Sequence, residues 1–434
     1  MSIKLLAIGD MHLGRQPSRL PDELANHARE LSPQKCWERT VEQAIRNKVD
    51  LVVLAGDLVD QEDNFFEAFR PLETGVNALV EAGIEVVGIS GNHDVSVLPR
   101  LAKQLSQFKL LGANGRWETH HFEKDGQAVT LHGWSYPKPV VDESPLQGHT
   151  FERAPGLNFG VLHCDRDQLD SRYAPVTSQA LKQAGLDGWL LGHIHKPDPL
   201  AADSINGYLG SITGLHVGEH GPRGPWLVSI DQGKVQAIAQ WTLAPLVWTH
   251  LMLDVSGMPK AEDAMDALMQ EIRGLDQQAS AYFQPPQALG IRLILVGQSD
   301  LSDVFVDAIS KQQNENIAVG EIQTIFIESI EDQTTAAIDL NVLAQRTDHI
   351  GRLARSLALL DAPVENTERD TEATNQRQAL IDAASDQLNS LASEGRWQQG
   401  GSAPLSEAEV IMHIRHSGHQ LLREWLAQAE EWAS

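Results

Sequence analysis

Five short motifs carry side chains of the types that bind metal ions. The motifs are "GDMHLG", "GDLVD", "GNHD", "LHCD" and "GHIH", and each follows an apolar run. Their candidate ligands are Asp10, His12, Asp57, Asn92, His163, His193 and His195. Imidazole, carboxylate and amide groups without thiolates suit divalent ions such as Mn, Fe or Zn, and do not suit a structural zinc site. Seven ligands exceed the need of one ion with open positions, so the motifs predict two ions, with Asp57 as the bridging candidate.

A pair of bound ions defines a class of reaction. Two ions roughly 3.5–4 Å apart can clamp the attacking and leaving oxygens of an in-line displacement at phosphorus. They also lower the pKa of a shared water, so that hydroxide is available near neutral pH. The ligand set therefore predicts metal-dependent hydrolysis of a phosphate ester.

The elements around the motifs indicate how these residues are brought together. Strand-like runs such as "IKLLAIGD", "VDLVVLAGD" and "IEVVGISGNHD" alternate with segments of helical spacing, which is typical of layered α/β folds. Sites in such folds gather outside the carboxyl ends of the strands. If the backbone stays extended there, Asp10 and His12 share one face, as do His193 and His195, and Ile194 faces into the layers.

The pattern along the chain predicts three regions. Residues 1–246 hold the five motifs. Residues 247–335 read as strand, helix, strand, helix, strand, a small α/β domain, and residues 336–434 are helical. The leucines of the third region favour an intramolecular core, with partner docking as the alternative.

Composition limits the cellular context. The chain has 434 residues, two cysteines and no apolar run of membrane-spanning length, which indicates a cytoplasmic protein in a reducing compartment. The net charge of −25 is uneven, because residues 1–250 carry −8 and residues 251–434 carry −17. An acidic balance is unusual for a protein that binds nucleic acid.

The five motifs, in this order, resemble the calcineurin-like metallophosphoesterases over roughly residues 3–230. That resemblance implies a four-layer β-sandwich flanked by helices. It assigns the first ion to Asp10, His12, Asp57 and His195, and the second ion to Asp57, Asn92, His163 and His193. His93 would stabilise the transition state and protonate the leaving oxygen, with Asp94 orienting its ring.

Longer segments narrow the resemblance. "AGDLVD", "YAPVT" before "GLDGWLLGHIH", and "GLHVGEHGPRG" are similar to bacterial DNA repair exonucleases of the SbcD and YhaO type. In that family residues 247–335 would be a DNA-binding capping domain. The resemblance implies Mn(2+)-dependent exonuclease and endonuclease action on DNA ends, with a coiled-coil ABC-type ATPase of the SbcC kind as partner. A homodimer is a further expectation.

Two other functions stay open. One is a phosphatase or phosphodiesterase for small phosphorylated substrates, and the other is an inactive scaffold for the ATPase. The candidate substrate contacts are His216 in the glycine-rich loop and Arg15, with Arg19, Arg292 and Lys311 as further basic positions.

Overall fold

The protein forms two compact units, residues 1–335 and 336–434. The computed structural model describes residues 2–60, 65–105, 107–168, 170–313, 315–317, 320–322, 324–335, 339–361, 371–393 and 407–433. The boundary predicted at residue 336 falls at residues 336–338, outside the described residues.

Fourteen strands are found among the described residues. They are β1 (Ile3–Ile8), β2 (Leu51–Ala55), β3 (Glu85–Ile89), β4 (Phe108–Leu110), β5 (Glu118–Lys124), β6 (Gln127–Trp134), β7 (Leu157–His163), β8 (Gly188–Gly192), β9 (Asn206–Tyr208), β10 (Trp226–Asp231), β11 (Lys234–Gln240), β12 (Leu246–Asp254), β13 (Ala288–Val296) and β14 (Thr324–Asp332).

The helices of the first unit connect or cover these strands. They are α1 (Asp22–Ala25), α2 (Pro33–Arg46), α3 (Phe65–Glu81), α4 (Leu98–Gln104), α5 (Ser178–Gln183), α6 (Ala261–Ser280) and α7 (Ser302–Ser310), with a 3₁₀ turn at Ala28–Leu31.

Two sheets build the part of the chain that holds the motifs. One has the order β11-β10-β1-β2-β3-β4, and the other has the order β5-β6-β7-β8-β9. Strands β1 to β4 are parallel to one another, as are β6 to β9, so their carboxyl ends gather at one edge of each sheet. Three of the five motifs follow the strands β1, β2 and β3, and the other two begin within strands, in β7 at Leu162 and in β8 at Gly192.

Alternating side chains on the strands produce four layers. In β1, Leu5 and Ala7 enter the core between the two sheets, whereas Leu6 and Ile8 pack against α2 and α3. A third core, which includes Leu181 of α5, covers the outer face of the second sheet. This arrangement confirms the predicted helix–sheet–sheet–helix sandwich.

Strands β12, β13 and β14 form a separate parallel sheet that packs with α6 and α7 around a core of its own. The three strands and two helices predicted for this region are therefore present. The interface with the sandwich is apolar, and Trp248 and Phe326 pack there with Leu31 and Val217.

The second unit is helical in its described residues. Its helices are α8 (Leu340–Ala344), α9 (His349–Asp361) and two longer ones, Thr371–Ser393 and Glu407–Ala433. The predicted apolar stripe of α9 packs inside the unit, since Ile350 and Leu357 contact Leu422, with Trp425 alongside. Intramolecular packing thus accounts for these leucines. No described helix of the protein is long and apolar enough to cross a membrane.

The two sheets approach most closely beside the motifs, which makes Gly192 a sensitive position. A Cβ on Gly192 would lie 2.2 Å from the carbonyl oxygen of Ala55 and 2.7 Å from Nδ1 of His163. We expect Gly192→Ala to lower the free energy of unfolding by about 1–3 kcal/mol, because it forces β2 and β8 apart. Thermal melting of the metal-free protein measures this.

Gly274 provides the matched control for that substitution. It lies within α6, and an added Cβ there meets nothing within 4 Å. Gly274→Ala should be neutral or stabilising by up to about 1 kcal/mol, since alanine favours a helix interior. Equal melting temperatures for the two variants would show that the sheets are not tightly apposed at Gly192.

Candidate metal centre

Three of the candidate ligands lie where the backbone is in the left-handed region and not extended. His12, Asp57 and His193 all have positive φ, at 45°, 50° and 102°. The expectation of an extended backbone through the two His-containing pairs is therefore wrong. Ile194 is 37% exposed and does not face into the layers, which corrects the second part of that expectation.

The left-handed turn at His193 has a direct consequence for "GHIH". It separates the two histidines, so that His195 joins Asp10 and His12 while His193 joins Asp57 and His163. Within each trio one potential ligand atom per residue lies within 4.8 Å of the others. We call Asp10, His12 and His195 the first ligand group, and Asp57, Asn92, His163 and His193 the second ligand group.

Hydrogen bonds fix the tautomers in the first ligand group. His12 Nδ1 donates to Asp60 Oδ1 at 3.0 Å, and His195 Nδ1 donates to Glu219 Oε1 at 2.6 Å. A carboxylate only accepts, so both Nδ1 atoms carry hydrogen, and Nε2 of each neutral ring carries a lone pair. These two Nε2 atoms face each other at 3.0 Å. Two acceptors in this position require a proton or a metal ion between them.

The second ligand group converges in the same way. His163 Nδ1 donates to the carbonyl oxygen of Ala55 at 3.1 Å, which directs Nε2 toward Asp57 Oδ2 at 3.1 Å and Asn92 Oδ1 at 3.2 Å. The ring of His193 lies 5.2 Å from that of His163. Nitrogen and oxygen atoms that converge on one point suit a divalent cation.

Asp57 lies between the two groups. Its Oδ2 is 3.1 Å from His163 Nε2 and 3.9 Å from His12 Nε2. Its Oδ1 accepts the backbone N–H of His93 at 3.0 Å. The position is that expected of a carboxylate shared by two ions.

In the absence of ions a proton occupies the second group. Burial disfavours the charged ring of His163, but the Asp57 carboxylate outweighs burial and raises the pKa of His163 to about 9. Burial likewise opposes ionisation of Asp57, and the His163 imidazolium outweighs it, so the pKa of Asp57 falls below its usual range. The proton compensates the buried carboxylate until a cation replaces it.

His93 stands beside the ligands but is held by Asp60 and not by Asp94. Its Nδ1 donates to the carbonyl oxygen of Asp60 at 2.9 Å. Both oxygens of Asp94 accept backbone N–H groups instead, from Leu58 at 2.7 Å and from Gly91 at 2.8 Å. The prediction that Asp94 orients the His93 ring is therefore wrong: Asp94 is a buried structural carboxylate that joins two strand ends.

Three acidic residues next to the ligands were not assigned from the sequence. Asp60 holds His12, Glu219 holds His195, and Asp165 Oδ1 lies 3.3 Å from His193 Nε2. Ligating histidines are commonly oriented by such carboxylates. Asp60 lies in "GDLVD" and Asp165 lies in "LHCD", so their places in these motifs could have identified them. Glu219 lies 24 positions from His195, and no motif connects the two residues.

The predicted substrate contacts differ in placement. Arg15 Nε is 3.6 Å from Asp60 Oδ1, and the His216 ring is 3.6 Å from Glu219, so both lie at the rim of the centre. Arg19 and Arg292 lie elsewhere, and both pair with Glu328 at the edge of the small α/β domain. Lys311 is exposed, just after α7.

Comparison with known proteins agrees with this geometry. Residues 3–197 match the family model described as calcineurin-like phosphoesterase. These residues belong to that family of hydrolytic enzymes, which depend on two metal ions. Residues 3–197 thus have the sequence of a calcineurin-like phosphoesterase and the ligand groups for metal ions.

Among relatives, "Uncharacterized metallophosphoesterase YhaO" of Bacillus subtilis (strain 168) is 26% identical over 311 residues, covering 69% of this chain and 74% of the relative. "DNA double-strand break repair protein Mre11" of Methanopyrus kandleri is 26% identical over 281 residues, covering 59% of this chain and 60% of the relative. This chain thus spans less than two thirds of that Mre11 protein.

Solved structures are more distant. A dimetal phosphatase from Danio rerio has a TM-score of 0.34 at 13% identity, covering 56% of this chain and 99% of its own. The calcineurin-like phosphoesterase YfkN from Bacillus subtilis also has a TM-score of 0.34, at 12% identity, and the match covers 63% of this chain and 97% of YfkN. The family is shown by the sequence match of residues 3–197 alone.

The division of "GHIH" between two groups can be tested by metal content. We expect His195→Ala to lose the ion of the first ligand group and keep the other, and His193→Ala to do the reverse. Plasma mass spectrometry after equilibrium dialysis, at ion concentrations that span both sites, gives the stoichiometry. Loss of both ions in both variants would show that the two histidines do not serve separate ions.

The His163 proton makes metal binding depend on pH. Below about pH 9 His163 carries a proton in the metal-free protein, and that proton must leave before the ring can bind an ion. Binding near pH 7.5 should therefore release about one proton from His163, and affinity should rise with pH up to about 9. Calorimetry in buffers of different ionisation enthalpy measures the released protons. Proton release in His163→Ala equal to that of the unmodified chain would contradict this assignment.

Proposed function

We propose that the protein is a two-metal phosphodiesterase that cleaves DNA as an exonuclease and endonuclease in repair, with Mn(2+) as the ion it uses. The observation that carries this proposal is the pair of facing ligand groups with His93 beside them. The DNA substrate is supported by the Mre11 relatives, whose name assigns them to double-strand break repair. It is also supported by the similarity of the longer motifs to bacterial repair exonucleases.

The residues of the chain have separable tasks in this reaction. When bound, the two ions supply Lewis acidity and lower the pKa of the attacking water. Asp57 holds the two groups in register, and its Oδ1 anchors the backbone of His93. Since His93 Nδ1 donates to the Asp60 carbonyl, the imidazolium form of His93 would give its Nε2 proton to the leaving oxygen and keep the Nδ1 hydrogen bond as a neutral ring.

The exposure of the centre favours a polymeric substrate. Asp10, Asp57 and His163 are buried, whereas the His93 side chain is 39% exposed and that of His216 is 53% exposed. A phosphodiester within a long strand reaches such an open rim without entering an enclosed pocket. A small phosphorylated substrate would gain little recognition there beyond its phosphate.

The acidic balance of the chain favours a partner in DNA binding. Residues 251–434 carry a net charge of −17, and the basic side chains of Arg19 and Arg292 are paired with Glu328. Phosphate binding requires unpaired cationic surface. A coiled-coil ATPase of the SbcC kind would supply it, in the cytoplasm where the two buried thiols stay reduced.

His93→Ala tests the proposed function. With Mn(2+), the unmodified chain should degrade end-labelled linear duplex DNA, and His93→Ala should be about 10²–10⁴-fold slower because the proton donor is lost. Two ions per chain should remain bound, since no ligand is removed. His121→Ala, on the exposed edge strand β5, is the matched control and should keep full activity.

Other outcomes identify the alternatives. Loss of an ion in His93→Ala would make His93 a ligand and overturn its role as acid. Intact DNA with and without an ATPase partner, together with cleavage of a small aryl phosphodiester, would establish the small-substrate function. No hydrolysis of either substrate by the Mn(2+)-loaded chain would favour the scaffold.

A further inference from the structure

We infer that Glu219 is a positioning residue for His195, that it sets the affinity of the first ligand group for its ion, and that the small α/β domain holds it in place. This inference rests on the two-ion centre of the proposed function. Glu219 lies in the loop 211–223, which we call the rim loop, between β9 and β10.

Both oxygens of Glu219 are engaged, and its side chain is buried. Oε1 accepts from His195 Nδ1 at 2.6 Å, and Oε2 accepts the backbone N–H of Leu215 at 2.8 Å. These two hydrogen bonds fix the rotation of the carboxylate.

The position of Glu219 determines which atom of His195 can bind an ion. With hydrogen on Nδ1, the lone pair of the ring lies on Nε2, which points at His12 Nε2. A neutral amide at position 219 could not satisfy both donors. If its oxygen accepted from Leu215, its NH₂ group would face His195 Nδ1 and favour the opposite tautomer.

The backbone of His195 is held by the same loop. Its carbonyl oxygen accepts from the backbone N–H of Ser211 at 2.9 Å and from the buried guanidinium of Arg223. Arg223 also donates to the carbonyl of His220 at 3.1 Å. The rim loop thus contacts both the ring and the main chain of this ligand.

The rim loop itself is fastened to β12 of the small α/β domain. The buried indole of Trp248 donates to the carbonyl oxygen of Gly214 at 3.2 Å, and the carbonyl of Trp248 accepts from the N–H of Gly221 at 2.9 Å. His250 Nε2 lies 3.2 Å from the carbonyl oxygen of Val217. A contiguous set of contacts therefore runs from the small domain through Glu219 to the first ligand group.

Mn(2+) binding by the full chain, followed by electron paramagnetic resonance of the free ion, tests this inference. We expect Glu219→Ala and Glu219→Gln to weaken one of the two sites about 10–100-fold, and to leave the other unchanged. In the His193→Ala variant only the first ligand group should bind Mn(2+) tightly. Adding Glu219→Ala or Glu219→Gln to that variant should abolish the remaining tight binding. Co(2+) absorption spectra should change for one site only.

Two further variants separate positioning from general destabilisation. Trp248→Phe keeps a six-membered aromatic ring but removes the indole N–H that donates to Gly214, and should cause a smaller loss at the same site. Glu118→Gln is the matched control, because its carboxylate also accepts a backbone N–H, from Gly112 at 3.1 Å, but lies on β5 away from the centre. It should bind both ions normally.

The outcomes distinguish this inference from the proposed function. If the unmodified chain binds two ions and the Glu219 variants do so equally well, or lose both sites together, the role of Glu219 is wrong and the two-ion centre stands. If the unmodified chain binds fewer than two ions, the proposed function fails and this inference fails with it.

Discussion

The buried carboxylate of Asp57 is the interaction on which the rest of the centre depends. The backbone carbonyl oxygen of Asp57 accepts the N–H groups of Met11 and His12, at 3.0 and 2.9 Å. Its side-chain oxygens contact the backbone N–H of His93 and the ring of His163. One residue thus connects the ends of β1, β2, β3 and β7. A charge at this depth is tolerated only with compensation, which a proton on His163 provides until metal binds.

The apposition of the two sheets follows from the same requirement. Ligands from both sheets meet only if β2 and β8 come close together, and Gly192 permits this because any side chain there would strike the Ala55 carbonyl. The buried residues Asp10, Asp57 and His163 form the floor of the centre, while His93 and His195 rise toward solvent. The result is an open centre at the edge of the sandwich.

Carboxylates that are not themselves assigned as ligands orient two of the histidines. Asp60 and Glu219 fix the tautomers of His12 and His195, and both are ordinary acidic residues when seen along the chain. The apolar pattern also does not predict β5 and β11, because these edge strands are largely exposed and lack the continuous apolar runs of β1 to β3. The apolar pattern marks neither an exposed edge strand nor the carboxylate that pairs with a particular histidine.

The sequence alone determines the ligand types, the order of their motifs and the layered α/β class. These features depend on hydrophobic periodicity and on residues close together in the sequence. The assignment of His193 and His195 to different ligand groups depends on a left-handed turn at His193, which local pattern does not reveal. The role predicted for Asp94 failed for a related reason: two backbone donors from separate strand ends compete for its carboxylate. Leu58 lies 36 positions from Asp94, and only the pairing of β2 with β3 brings its N–H to that carboxylate.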